Sequence, residues 1–355
     1  MRALTDTPGR RNNAGMKIAR FQSGGEIYLG KLIDDSSAQV IEGSIPGSFR
    51  ITDRRVKIEK FLAPLVPTDI LCIGVNYRQH SAETGIAVPE NPMLFIKAGN
   101  TLNHPGGPIL IPRRSNQIDY EGELAVVIGK QAKYVSREKA LEYVFGYTIA
   151  NDVTARDWQR ERSLGGGQFA RGKSFDGFCP LGPWIVTADE IANPNALKLK
   201  TLLNGNVMQD STTADMIFDV PALIESLSST MTLRAGAVIL TGTPEGVGFA
   251  RKPPVWLKAG DRVAVEIEKI GRLENPVGNE PFDVPNWSLS SFPIEIHCPK
   301  CGNEMVHDGN SLTLAQSPRG AMFECGKCTE ITQWRFTLDP FNLERVEPIT
   351  WGGNV

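Results

Sequence analysis

Apolar residues along this chain recur mostly at every second position or in short runs, and seldom at helical spacing. From residue 16 to about 66, Ile18, Phe21, Ile27 to Leu29, Leu32 to Ile33 and Val40 to Ile41 are separated by Gly, Ser and Asp. That pattern predicts small antiparallel strands. Pro64 and Pro67 punctuate the end of this unit, and Ile70 to Gly74 opens a long segment of buried-type strands with a few helices, reaching about Val277. Within it, IDYEGELAVVIG (118–129) alternates and ends in β-branched residues, which predicts one strand. FGYTIAND (145–152) is an apolar run closed by Asn-Asp, and VTARDWQRERSLGGG after it predicts a helix stopped by three glycines. The stretch from Gly278 to Pro293 has three prolines and little periodicity, as a linker would. The expected division is a β-rich unit with a frayed start (1–66), a main domain (67–277), a linker (278–293) and a small module (294–355). No repeat or low-complexity tract interrupts it.

Composition narrows the class. At 355 residues, 41% hydrophobic and 22% charged, the chain reads as folded and globular, with room for two or three domains. A net charge of -2 gives no global field that would collect nucleic acid or anionic membrane. No apolar stretch approaches the roughly 18 to 20 residues of a membrane helix, and MRALTDTPGRRNNAG at the start has charges without a following apolar segment. A cytoplasmic protein is expected.

The candidate chemistry lies in the main domain. If 118–129 is one strand, Asp119, Glu121 and Glu123 share a face. Carboxylates so close repel unless a cation neutralises them, and hard oxygens suit Mg²⁺, Mn²⁺ or Ca²⁺. The alternative is a solvated edge strand with its polar side out. Asp152 sits at a strand-to-helix junction, and Asp152, Arg156 and Gln159 at i, i+4 and i+7 would share a helical face. The alternative there is an N-cap with a surface ion pair. Asn76 could cap a helix NYRQHSAE that puts His80 and Glu83 three apart, where the carboxylate orients the imidazole as in a general-base pair, or makes an ordinary surface contact. RGKSFDGFCPLGP carries Lys173 in a Gly/Pro-rich loop, and VILTGTPEGVGF runs from a strand into a glycine turn whose N–H groups could meet an anion. That turn lacks the GK[ST] ending of a phosphate loop, which disfavours nucleotide binding.

GVNYRQHSAE, DYEGELAVVIG, NDVTARDWQ, RGKSFDGFCPLGP and LTGTPEGVG, in that order, resemble the fumarylacetoacetate hydrolase family over roughly Ile70 to Val277. The resemblance implies an α+β fold, a mixed β-roll, usually as a homodimer, with Mg²⁺ or Mn²⁺ in the site. Carried over by position, it makes Glu121, Glu123 and Asp152 the metal ligands. Lys173 would stabilise a developing enolate or oxyanion. His80 and Glu83 would form a water-activating dyad on a segment that orders over substrate. Arg156, Gln159 and Thr243 would hold the α-keto acid end. These groups suit metal-dependent hydrolysis of a carbon–carbon bond in a 2,4-diketo acid, acylpyruvate- or fumarylpyruvate-like, to a keto acid and a carboxylic acid. The same site could serve oxaloacetate-type decarboxylation or keto–enol and dienoate isomerisation.

Six cysteines are unevenly placed. Cys72 and Cys179 stand alone, while Cys298-Pro-Lys-Cys301 and Cys325-Gly-Lys-Cys328 are two C-x-x-C pairs separated by 23 residues. That spacing predicts a closed, structural Zn²⁺ site and a zinc-ribbon-like module that depends on its metal to fold, with AMFEC and ITQWRFTL as alternating strands. A ribbon adaptor with the main domain as scaffold is the non-enzymatic alternative. Five Lys/Arg against eight Asp/Glu from Phe292 onward oppose nucleic-acid binding. If the module packs near the active-site mouth or a dimer interface, deleting the residues after Pro293 will change oligomer size or kinetics. Sizing and steady-state rates that both stay unchanged would refute that role.

Overall fold

The computed structural model describes residues 15–164 and 167–280, with 306–307, 321–324, 331–339 and 342–348. Contacts divide the chain into two units, Met1–Glu280 and Pro281–Val355.

The first unit starts with five strands: β1 (Lys17–Ser23), β2 (Glu26–Asp34), β3 (Ser37–Gly43), β4 (Phe49–Lys57) and β5 (Lys60–Leu62). Then come β6 (Ile70–Gly74), α1 (Arg78–Thr84), β7 (Met93–Lys97), β8 (Leu102–Asn103), β9 (Ile109–Ile111), β10 (Ile118–Asp119), β11 (Gly122–Ile128) and β12 (Val144–Asn151). They are followed by β13 (Thr154–Ala155), α2 (Arg156–Arg160), α3 (Phe169–Lys173), β14 (Cys179–Thr187), β15 (Lys198–Leu203) and β16 (Asn206–Thr212). The unit closes with α4 (Val220–Thr230), β17 (Val238–Leu240), β18 (Arg262–Ile267) and β19 (Gly271–Asn279).

The main sheet runs β4-β3-β2-β1-β14-β12-β11-β17-β6-β7. Most of its pairs are antiparallel, but β17 and β6 are parallel. A second sheet runs β16-β15-β18-β19-β9, and β10 pairs only with β13. The fold is therefore sheet-rich and mixed, with few helices among the described residues. The N-terminal strands belong to the main sheet, because Lys17 and Ile18 of β1 pair with Val186 and Ile185 of β14. At the far end, β19 continues through Gly278 and Asn279, which pair with Leu110 and Ile111 of β9.

The run GELAVVI explains the centre. Every residue of β11 is buried, and β12 and β17 flank it. Its alternation divides side chains between two cores: Leu124, Val126 and Ile128 pack with α4, while Ala125 and Val127 pack with Cys72 and Cys179. The solvated-edge alternative for this segment is excluded. The helix α4 buries Val220, Leu223, Ile224 and Leu227, and the Asp219 side chain accepts a hydrogen bond from Ala222 N–H. The predicted helix after Asp152 is shorter than its sequence pattern, with α-helix limited to Arg156–Arg160 and a 3₁₀ turn at Arg162–Leu164.

In the second unit, β20 (Val306–His307), β21 (Ala321–Glu324), β22 (Ile331–Asp339) and β23 (Asn342–Pro348) form an antiparallel sheet in that order. Cys298, Cys301, Cys325 and Cys328, the expected zinc ligands, lie outside the described residues.

Ile18 is fully buried beside Met16 and Ile41. Because β1 is a rung of the main sheet, Ile18→Ala should destabilise by about 2–5 kcal/mol. Urea unfolding of the 15–280 region should keep one transition when followed by tryptophan fluorescence and by circular dichroism. A separate early transition carrying the whole loss would show that the N-terminal strands fold as their own domain.

Candidate active site

Two strand ends and one turn hold the carboxylates. Gly122 and Glu123 of β11 pair with Asn151 and Ala150 of β12, and Asp152 N–H donates to Glu121 O at 2.8 Å just beyond that register. This extra rung brings Glu121, Glu123 and Asp152 together, with one oxygen from each lying within 4.8 Å of the others. All three are buried, and Asp152 is 0% exposed. The single strand expected over 118–129 is broken at Tyr120–Glu121, so Asp119 does not join the triad. Asp119 pairs instead with Thr154 of β13, and its carboxylate accepts from Tyr120, Gly248 and Phe249 N–H groups.

The glycine turn after β17 does meet anions, and they are the protein's own. Gly242 N–H donates to Glu123 Oε2 at 2.6 Å, Gly246 N–H to Glu83 Oε1 at 2.9 Å and Gly248 N–H to Asp119 Oδ1 at 2.7 Å. Gly242 has φ +95°, and a Cβ there would come within 2.8 Å of Asn76 Cβ. Asn76 does not cap α1. Tyr77 occupies that position, and Asn76 Nδ2 donates to Phe218 O and Thr241 O while its Oδ1 accepts from Phe218 N–H.

Three cations share the interior with these acids. Lys173, at the end of α3 rather than in a loop, donates to Glu121 Oε2 and Asp152 Oδ2 at 2.7 Å each and to Thr154 Oγ1 at 2.9 Å. Lys97 donates to the other Asp152 oxygen at 2.6 Å and to Val153 O at 3.1 Å. Arg156 Nε donates to Asp119 Oδ2 at 2.8 Å, its Nη1 to Gln159 Oε1 at 3.0 Å, and its Nη2 lies 2.6 Å from Glu121 Oε1.

Electrostatics follow from those partners. Burial would raise Glu121, but the Lys173 and Arg156 charges overcome it and hold the carboxyl at about 2. Burial would lower Lys173, and Asp152 and Glu121 push it above the usual lysine range. Glu123 goes the other way. Burial, then the Asp152 and Glu121 charges, lift it well above the carboxylate range. Among the described residues Glu123 has no cationic hydrogen-bond or ion-pair partner. Four buried carboxylates thus face three cations, and the unbalanced acid is part of the triad of hard oxygens. These residues fit a Mg²⁺ or Mn²⁺ ion.

The cluster opens on a cavity of about 200 Å³ lined by His80, Glu121, Glu123, Arg156, Gln159, Arg160, Lys173 and Thr243 with Ile73, Phe95, Phe169 and Phe249 among its apolar walls. His80, on α1, has its Nδ1 3.3 Å from Glu83 Oε2. The expected positions differ in what they have left to offer. Lys173 spends all three N–H donors inside the protein, and Thr243 Oγ1 donates to Gly122 O and accepts from Gln209 Nε2. Arg156 Nη2, although close to Glu121, is buried without an aligned hydrogen-bond acceptor. Gln159 uses its Oε1 on Arg156, which leaves its amide N–H₂ as a donor. Asp152 and Glu83 support this wall from behind it.

Sequence reasoning missed Lys97, Asn151 and Gln209. Lys97 ends an otherwise apolar strand, MLFIK, and a lone charge in such a run was the available signal. Asn151 Oδ1 and Gln209 Oε1 accept from the N–H groups of Glu121 and Gly122, so they fix the ligand-bearing backbone.

Residues 69–278 match the profile described as fumarylacetoacetate hydrolase, C-terminal, and residues 16–64 one described as Rv2993c-like, N-terminal. The mitochondrial oxaloacetate tautomerase fahd2 of Xenopus laevis is 48% identical over 217 residues, 61% of this chain and 67% of that protein. The 2-hydroxyhepta-2,4-diene-1,7-dioate isomerase structure from Mycobacterium marinum superposes with a TM-score of 0.65 at 36% identity, over 75% of this chain and 99% of that one. Fumarylacetoacetate hydrolase from Exiguobacterium antarcticum gives 0.66 at 38% identity, over 75% and 100%. Among the described residues no helix is long and apolar enough to cross a membrane.

The raised Glu123 carboxyl binds a proton in the folded, metal-free protein at pH values where the unfolded chain has lost it. Stability should therefore fall as pH rises from the ordinary carboxylate value toward the raised value of Glu123, while the Glu121 contribution is lost only as pH drops toward about 2. Thermal midpoints of metal-free protein should decline over that range. Mn²⁺ should reverse the decline, and Glu123→Gln should flatten it and weaken Mn²⁺ binding by about 100-fold in calorimetry. A flat profile in the wild type would contradict this charge balance.

Proposed function

The chain belongs to the fumarylacetoacetate hydrolase family, and from that premise we propose that it is a divalent-metal-dependent keto–enol tautomerase of small α-keto acids of the oxaloacetate type. The observation that carries this reading is that one small cavity is lined by Glu121 and Glu123 of a buried carboxylate triad, by a histidine backed by a carboxylate, and by the Arg156 guanidinium and the Gln159 amide. The tautomerase and isomerase names of similar proteins support it over the hydrolysis that the sequence put first.

Glu121, Glu123 and Asp152 would hold Mg²⁺ or Mn²⁺. Such an ion supplies Lewis-acid polarisation of a keto oxygen and so acidifies the adjacent carbon. Arg156 Nη2 and the Gln159 amide bind the C1 carboxylate and fix the chain. Glu83 holds the proton on His80 Nδ1, which leaves Nε2 as the base. The proton on the carbon next to the keto group moves to His80 Nε2 and from there to the enolate oxygen. One C–H bond is exchanged for one O–H bond, with no other reactant. Lys173 and Lys97 act on the ligands rather than on substrate: they neutralise Asp152 and Glu121 and hold them in place. The apolar walls exclude water, which protects an enol from side reactions.

A second reading, hydrolysis of an acylpyruvate, keeps support from the His80–Glu83 contact, since the same base could take a proton from water. The homodimer, the cytoplasmic location and the zinc module also remain proposals. They rest on family resemblance, composition and cysteine spacing, while the Xenopus relative is named as mitochondrial.

Enol absorbance of oxaloacetate should equilibrate faster with protein and Mn²⁺ or Mg²⁺, and EDTA should abolish the effect. Glu123→Ala should remove activity. His80→Gln should cost about 10²- to 10⁴-fold while Mn²⁺ binding persists. Release of pyruvate and a carboxylic acid from acetylpyruvate or fumarylpyruvate, without tautomerisation, would move the protein to the hydrolytic reading. A fully active Glu123→Ala protein would sink both.

A further inference from the structure

The cationic groups around the cavity are not equivalent. Lys173 and Arg156 are buried and neutralised by Glu121, Asp152 and Asp119. Arg160, one turn beyond Arg156 on α2, also lines the cavity but is exposed. Among the described residues it has neither an ion pair nor a hydrogen bond from its side chain. Its guanidinium carbon lies over an aromatic face, 5.0 Å from the Phe249 ring centroid. Arg156 lies 4.3 Å from the same centroid. Phe249 thus holds two guanidinium groups over one ring, one ion-paired in the interior and one exposed.

We propose that Arg160 is a specificity-determining residue that binds the distal carboxylate of a short dicarboxylic keto acid, so that the cavity selects diacids over keto acids with an uncharged tail. The proposal rests on the keto acid reading above and deepens it. On that reading Arg156 and Gln159 meet one carboxylate, and among the described arginines and lysines of the cavity wall Arg160 alone has no ion pair to a protein carboxylate. The two distances to Phe249 keep the guanidinium carbons within about 9 Å of each other, close enough for a three- or four-carbon chain with a carboxylate at each end to reach both side chains. A cavity of about 200 Å³ has room for a substrate of that size. An uncommitted arginine stacked on a ring is also held in place before the ligand arrives, which reduces the ordering cost of binding.

The test compares ligands that differ only at the distal end. With oxaloacetate and its 4-methyl ester, the ratio of kcat/KM values should favour the diacid by at least tenfold in the wild type. In Arg160→Gln that ratio should fall about tenfold, and Arg160→Lys should restore part of it. Independently of turnover, calorimetry with Mg²⁺ present should show malate binding about tenfold tighter than lactate, a preference that Arg160→Gln removes and that weakens with added salt. If the wild type tautomerises no keto acid, the functional reading fails, and the malate–lactate comparison still decides the subsite. A wild type with no preference for malate, or an Arg160→Gln protein that keeps the full preference, would overturn the assignment.

Discussion

Four carboxylates and three cations buried around the end of β11 set the terms for this fold. Removing such charges from water is expensive, and all of them except Glu123 are paired at short range with an opposite charge from a different part of the chain. Lys97 comes from β7, Asp119 from β10, Glu121 from just before β11 and Glu123 from its start, Asp152 from just after β12, Arg156 from α2 and Lys173 from α3. The two apolar cores that β11 separates provide the rigidity that keeps those ends in register. The glycine turn after β17 completes the arrangement by directing backbone donors at Glu123, Glu83 and Asp119. Helix α1, through Glu83, and strand β11, through Glu123, are therefore tied to one short segment.

Much of this centre was legible because period and chemistry coincide in it. The alternation of GELAVVI placed Glu123 on a face with Ala125 and Val127, and the Asn-Asp closing the apolar run put Asp152 beyond a strand end. Alternation alone could not show the break at Tyr120–Glu121, since a residue pattern continues across it while the hydrogen-bond ladder does not. Helical spacing after Asp152 overstated α2, and Arg156 and Gln159 meet as i and i+3 without Asp152 on the same helix. Lys97 was hidden because its meaning depends on a partner 55 residues away, and the joining of β1 to β14 depends on one still more distant. Such pairings are tertiary, and local propensity carries no information about them.

The distribution of free donors separates residues that shape the site from residues that can serve a ligand. Lys173 and Thr243 line the cavity with their donors already committed to protein acceptors. Arg156 Nη2, ion-paired with Glu121 but without an aligned acceptor, and the Gln159 amide N–H₂ are in the same wall. Family position alone would treat these four alike. The hydrogen-bond accounting ranks them, and it does so without reference to any ligand.

The double contact on Asp152 also constrains how this sequence can diverge. Lys97 and Lys173 each hold one of its two oxygens, and all three side chains are nearly or wholly inaccessible to water. Losing the carboxylate by a single substitution would leave two buried ammonium groups facing each other without the acid they share, Lys97 with no other carboxylate partner among the described residues. Losing either lysine would strip the acid of half its compensation. Positions 97, 152 and 173 are consequently energetically non-additive, and a lineage that abandons the triad must pass through a poorly folded intermediate or change several codons together. The same physics that assembles the centre thus makes it slow to dismantle over evolutionary time.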